Sequence, residues 1–343
     1  MAQGEKIKKI LFFLLKIALA AAVVGILFSR GQQEIFKAFR TFDFRYLLPA
    51  VLLSFLQIFF SALRWHSLAK VLQIRLTLPE AFSLTMQGNF FSLVIPGGAI
   101  GGDVVKMAVL SKRTPAGSKV EGAFTVFTDR VIGMASLFSL TLLLLLPETG
   151  VLMKIRWGSL PPSPFLNVLF IAGTALLCLA GLAGSLLLFF HKALFKLPGI
   201  TFLLQKLDGL SKGAISRMTE AASSYAGHWR LLISWTLLTT LLIHLLATVP
   251  FMLLLQGLGV QFSCFTVITA VVIGNIAGLI PLFPGGIGIR DLVTVTLLAA
   301  GSISSGDAKT AQLLSTAIML LTFLSGGIFF IFDIGKGGRN EHQ

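Results

Sequence analysis

Two interrupted apolar segments limit the folds open to this chain more than any other feature. Asn275 to Asp291 reads NIAGLIPLFPGGIGIRD and lies in apolar sequence long enough to cross a bilayer. Proline removes a backbone donor and glycine loosens a helix, so this stretch cannot be one straight transmembrane helix. Irregular backbone at membrane depth survives only where protein or a watery cavity satisfies its polar groups. A second copy lies upstream, where Asn89 to Asp103 reads NFFSLVIPGGAIGGD. Both contain Pro-Gly-Gly followed at the same spacing by an aspartate: Pro96, Gly97 and Gly98 before Asp103, and Pro284, Gly285 and Gly286 before Asp291. Each has an asparagine upstream, Asn89 or Asn275, and further glycines follow at Gly101, Gly102 and Gly288. Paired Gly/Pro-interrupted segments in two halves of a chain are the sequence pointer to a transporter-like site.

The rest of the chain fits that reading. It has 343 residues, 55% hydrophobic and 12% charged, with a mean hydropathy of +0.88. This is a polytopic membrane composition, and no polar stretch is long enough for a separate soluble domain. The net charge of +14 would point to nucleic acid in a soluble protein. Here the basic residues fall in loops between apolar runs, where they set orientation and meet anionic lipid, so nucleic acid is not an expected partner. Cys178 and Cys264 match no metal spacing, and no cofactor is expected. No phosphate-binding Gly-x4-Gly-Lys-Ser/Thr loop is present, which argues against an ATP-driven pump. Gly209-Leu-Ser-Lys-Gly213 matches Gly-x-Ser-x-Gly in a basic loop without a preceding strand, and is read as coincidence.

Hydropathy places spans at about 10–28, 46–63, 121–146, 165–190, 231–255 and 310–332, with the broken segments at about 82–110 and 265–300. The first run could instead be a signal peptide, but it is long for one. Residues 30–45 suit a short interfacial helix, and Leu204, Leu207 and Leu210 are spaced as on an amphipathic surface helix. Tyr46, Trp65, Trp157, Tyr225 and Trp229 fall near span ends, as an aromatic belt would. If both broken segments are re-entrant and the N-terminus is cytoplasmic, most of the 28 basic residues lie inside. If each segment crosses once, most lie outside, so the positive-inside rule favours re-entrance. The expected architecture is all-α, with six spans and two opposed re-entrant hairpins in a single membrane domain over 1–343. The unit 46–146 recurs inverted at 231–332, and 165–190 connects the two.

Each Pro-Gly-Gly tip is expected to precede a half-helix whose N-terminus attracts anions. Lys106 and Arg290 lie near these tips and suit a lipid phosphate, with Arg130 a further candidate; Asp103, Asp129 and Asp291 balance them, and Asp103 and Asp291 are expected to hold a cationic headgroup or a coupling ion. Charges at bilayer depth cost roughly 2.5–3.5 kcal/mol each on insertion scales, so idle ones are unexpected. Bland readings stand beside these. Asp103 and Asp291 occupy positions where an N-cap could serve, and Asn89 and Asn275 could close broken backbone. Asp129 and Arg130 are neighbours that point apart on a helix, so each needs another partner. His244 reads as a core histidine more readily than as a proton carrier.

Arg64-Trp65, Asn89, Pro96-Gly97-Gly98, Gly101-Gly102-Asp103, Asp129-Arg130, Asn275 and Pro284-Gly285-Gly286-x-Gly288 together resemble the lysylphosphatidylglycerol synthase transmembrane-region family over about residues 5–335. That flippase-like family supplies the membrane domain of the bacterial multiple peptide resistance factor. The chain departs from its pattern at Lys106, where arginine is usual, and at Asp291, where glutamate is usual. The tRNA-dependent synthase domain has no counterpart here. The resemblance implies movement of a polar-headgroup lipid between leaflets of the bacterial inner membrane, with both termini cytoplasmic and no enzymatic reaction. Expected partners are that lipid and the membrane, with a second copy of the chain or a lipid-modifying enzyme as further candidates. The rival readings are an ion-coupled carrier of a small solute and a non-catalytic partner of a glycosyltransferase or lipid-modifying enzyme.

Overall fold

The computed structural model describes residues 40–95, 98–115, 118–158, 161–189, 214–280 and 286–340. The expected first span, most of the interfacial segment, Leu204 to Leu210, and the tip residues Pro96, Gly97, Pro284 and Gly285 lie outside them. All regular structure among the described residues is helical. A 3₁₀ turn at Phe44–Tyr46 leads into α1 (Leu47–Val71). Helices α2 (Leu78–Val94) and α3 (Ala99–Arg113) form the first broken segment. Then come α4 (Lys119–Leu145), the short α5 (Thr149–Leu152), α6 (Pro164–Phe189) and α7 (Ala214–Gly227). Helix α8 (Trp229–Thr239) continues through a π-helical stretch, Thr240–Leu245, into α9 (Thr248–Gly257). The second broken segment is α10 (Cys264–Ala277) and α11 (Ile289–Ala300), and α12 (Ser305–Asn340) ends the fold.

Among the described residues, five helical stretches are long and apolar enough to span a bilayer: Phe44–Val71, Lys119–Leu145, Pro164–Phe189, Trp229–Gly257 and Ser305–Phe332. Their outward faces carry exposed Leu, Ile and Phe, as in α6, where Phe165, Leu169, Leu176 and Leu186 stand in the open. The chain is a multi-pass membrane protein. At about 1.5 Å per residue, none of the four helices in the broken segments reaches across a hydrocarbon core of roughly 30 Å.

Each broken segment folds back on itself as a helical hairpin. In the first, Lys106 packs on Gly88, and a Cβ on Gly102 would overlap the Gly88 carbonyl oxygen. In the second, contacts step backwards from Gly278 with Gly286, through Gly274 with Thr294, to Thr266 with Gly301, the register of antiparallel arms. The bases of both hairpins are capped. Thr77 and Glu80 form a reciprocal capping box, with Thr77 N–H donating to Glu80 Oε2 at 2.8 Å. Ser263 accepts from the Thr266 N–H. Caps of this kind contribute about 1 kcal/mol.

The hairpins hang from opposite ends of the bundle. At one end Tyr225 OH donates to Leu68 O at 2.8 Å, and the His66 ring lies 2.7 Å from Leu76 O, beside the first hairpin's base. At the other end Asp43 N–H donates to Gly257 O, and Thr266 Oγ donates to Glu148 at 3.1 Å, beside the second base. The largest apolar core, around Phe251, Leu254, Leu255 and Leu298, ties the second hairpin to α9 and α12.

Two details depart from the sequence reading. Helix α1 does not stop at Arg64 and runs on to Val71, because Arg64 is buried against a carboxylate and has no need of water. Trp65 and Tyr225 are fully buried and do not belong to an interfacial belt. Each spends its polar atom inside, Trp65 on Thr125 Oγ and Tyr225 on Leu68 O.

Candidate functional site

The charged residues singled out from the sequence separate into two groups. The first lies where α3 meets α1 and α4. Arg64 Nε donates to Asp129 Oδ1 at 2.7 Å, and Lys106 Nζ sits 3.9 Å from Asp129 Oδ2. All three side chains are less than a tenth exposed. Gly88 leaves a groove for the Lys106 stem, since a Cβ there would come within 2.8 Å of Lys106 Cδ. The ammonium lies 4.0 Å from the centroid of the Trp65 ring, a cation–π contact. Arg64 also donates from Nη1 to Thr239 Oγ at 3.2 Å. One turn along α4 or less, Arg130 makes a two-pronged pair with Asp103, both bonds 2.8 Å. Asp129 and Arg130 therefore turn to different helices, as neighbours on a helix must. Three cations face two carboxylates in this cluster.

The second group lies at the second hairpin. Arg290 Nε and Nη2 donate to Asp291 Oδ1 at 3.0 and 2.8 Å. Nη2 also donates to Thr316 Oγ at 3.1 Å, while Nη1 points at the Met319 sulfur, 2.8 Å away. Asp291 further accepts from Gln312 Nε2 at 2.7 Å and from the Gly288 N–H at 3.0 Å.

Neither aspartate is an N-cap. The N-caps are Gly98 and Gly288, with φ of 54° and 97°, a region that residues with a Cβ rarely adopt. Asp103 lies a full turn inside α3. Asp291 is the third residue of α11 and reaches back to the Gly288 N–H, half of a capping box whose other half a glycine cannot supply. Gly101 and Gly102 are buried within α3, and Gly286 packs against Gly278.

A partly open cavity of about 350 Å³ lies between the hairpins. The first hairpin contributes Asn89 from α2, and the second contributes Asn275 and Arg290. Gln57 of α1, Gln312 and Ser315 of α12, and His244 add to its polar lining, along with several serine and threonine hydroxyls. His244 Nε2 lies 3.0 Å from both Gly133 O and Ser136 Oγ; the carbonyl can only accept, so this nitrogen carries the proton. The π-helical turn that holds His244 closes with Leu246 N–H donating to Leu241 O, a one-residue insertion in the helix register. Asp103, Lys106, Asp129 and Arg130 do not line the cavity, so the sequence-marked residues do not form one site. Their cluster joins the first hairpin to α1 and α4.

Sequence reasoning passed over four contributors. Arg64 entered as a span end and a family signature, Trp65 as a belt residue and part of the same signature, and Gln57 and Gln312 not at all. The available signal was the cost of an unpaired amide or guanidinium in an otherwise apolar helix.

Comparison with known proteins agrees with a membrane protein. The profile of the lysylphosphatidylglycerol synthase transmembrane region matches residues 13–326. A UPF0104 membrane protein of Pyrococcus horikoshii is 23% identical, over 94% of this chain and 97% of its own length. A second UPF0104 membrane protein, from Methanothermobacter thermautotrophicus, is 22% identical over 93% of each chain. Because that profile covers most of its length, the chain belongs to the lysylphosphatidylglycerol synthase transmembrane-region family.

Proposed function

We propose that this protein moves a lipid with a phosphate-bearing headgroup between the leaflets of the bacterial inner membrane, and that it is a carrier and not an enzyme. The hairpins are re-entrant in this reading, with six spans, both termini cytoplasmic, and the units 46–146 and 231–332 inverted repeats. The headgroup crosses through the cavity while the tails stay in the bilayer. The observation that carries the reading is the shared cavity, part polar and part apolar in its lining, within an otherwise apolar bundle, to which hairpins from opposite ends each contribute a wall. Its volume lies at the small end of the range for ligand pockets, which suits a headgroup and not a whole lipid. Arg290 is the charged residue that lines it among the described residues, and it holds the phosphate. No ATP is hydrolysed, and transfer runs down a lipid or ion gradient.

The test is leaflet exchange in proteoliposomes. Phosphatidylglycerol carrying a fluorophore on its acyl chain is exposed to a membrane-impermeant quencher, and the loss of the protected half is timed. Protein-containing vesicles should lose protection at least tenfold faster than empty ones, and the double variant Arg290→Ala, Asp291→Ala should return them to the empty rate. Exchange by the double variant at the wild-type rate refutes the assignment of the site.

A further inference from the structure

The same cavity carries information about which headgroup it admits. Among the described residues lining it, none is acidic. The one carboxylate beside it, Asp291, is consumed by Arg290, Gln312 and the Gly288 backbone, and Asp103 is consumed by Arg130 in the other cluster. An ammonium or amino headgroup entering here would be desolvated against amides, hydroxyls and a guanidinium. Burying an unpaired cation costs several kcal/mol.

Two features of the wall favour a different headgroup. The carboxamides of Gln57, Asn89 and Asn275 make no hydrogen bond to other described residues. Each offers a donor and an acceptor at once, the pairing that a hydroxyl needs. They approach from α1, from the first hairpin and from the second, so a hydroxylated ring between them is contacted on several sides. Beside them, Arg290 Nη1 has, among the described residues, only the Met319 thioether, a weak acceptor. An anionic oxygen is a far better partner for a guanidinium N–H, so this bond is the one that a phosphate replaces.

We infer that the cavity selects a headgroup with one phosphate followed by an uncharged polyhydroxyl group, such as an inositol or glycosyl phosphodiester, and rejects amine-bearing headgroups. Arg290 Nη1 takes the phosphate oxygen, and Gln57, Asn89 and Asn275 take the hydroxyls. This rests on the leaflet-transfer reading above and narrows it to a substrate class.

The experiment compares acyl-labelled phosphatidylinositol, phosphatidylglycerol, phosphatidylethanolamine and phosphatidylcholine with matched chains in the proteoliposome assay. Native mass spectrometry of the same four lipids on the purified protein gives a binding readout that does not need transport. Phosphatidylinositol should exchange and bind at least tenfold better than phosphatidylethanolamine and phosphatidylcholine, with phosphatidylglycerol between. Asn275→Ala should lower phosphatidylinositol exchange more than phosphatidylglycerol exchange, because it removes a hydroxyl partner and leaves the phosphate contact. Met319→Glu should abolish exchange of all four, because an internal carboxylate then holds Arg290 Nη1. Equal or faster exchange of the amine lipids overturns the headgroup assignment and leaves leaflet transfer standing. If no lipid exchanges or binds, leaflet transfer itself fails and takes the assignment with it.

Discussion

Replacing Asp129 by alanine should be among the most damaging single changes in the described structure. Its carboxylate is the shared counter-charge for Arg64, at 2.7 Å, and Lys106, at 3.9 Å. Without it Arg64 keeps its bond to Thr239, and Lys106 keeps the face of Trp65 and a longer-range attraction to Asp103. Removing one partner from a buried ion pair costs about 3–5 kcal/mol, because the remaining charge stays desolvated. An unfolding entropy of about 2.1 cal/mol/K per residue, the soluble-domain scale, gives roughly 1.4 °C of midpoint per kcal/mol for a chain this long. The variant should therefore lose about 4–7 °C in a heat challenge of detergent-solubilised protein, read as the fraction still monodisperse on gel filtration. The triple variant Arg64→Met, Lys106→Met, Asp129→Leu provides the counter-test. Replacing a whole buried charge cluster by apolar residues of similar volume is often neutral, so it should melt above Asp129→Ala despite carrying three changes. An Asp129→Ala midpoint within 1 °C of wild type, or a triple variant no better than the single one, would refute the account of this cluster as a coupled, buried unit.

Other outcomes follow from the same geometry. Arg290→Ala should slow exchange of phosphatidylglycerol about tenfold or more, since a hydrogen bond to a charged group is worth about 1.5–3 kcal/mol and each 1.4 kcal/mol is a factor of ten; a rate within twofold of wild type in a folded variant counts against it. Gly102→Leu should split the first hairpin and collapse the yield of monodisperse protein, because no side chain fits against the Gly88 carbonyl, whereas Gly173→Leu, with nothing within 4 Å, should be tolerated. Equal yields would mean that the arms are not in close contact. In a background with the exposed Cys264 replaced by serine, cysteines placed at Arg75 and Gln261 should react with an impermeant thiol reagent from opposite faces of right-side-out vesicles. Labelling of both from one face would dispose of the opposed hairpins.

Much of the architecture was legible because membrane depth punishes irregular backbone. Pro-Gly-Gly inside an apolar run admits few solutions, and helices that turn back on themselves are one of them. The split of Asp129 from Arg130 was legible too, since helix geometry sends neighbours to different sides. What could not be read was pairing at a distance. Arg64 looks like a span end until Asp129, on another helix, supplies its counter-charge. Lys106 lies near the first tip, where the sequence leads one to expect a phosphate contact, yet Gly88 and Trp65 hold its stem and ammonium outside the cavity lining. Positive φ at Gly98 and Gly288 moved the caps off the aspartates, which local pattern alone could not weigh. The cavity amides Gln57 and Gln312 carry no motif at all. Only three-dimensional convergence marks them.

Arms that meet backbone to backbone, as at Gly88 and Gly102, leave no slack between them. A hairpin built this way cannot scissor open without emptying its own seam. If the protein transfers a headgroup as proposed, the displacement that lets it pass swings each hairpin as a stiff lever. The fulcra then fall in the short connections at 72–77 and 258–263, far from the residues that line the cavity.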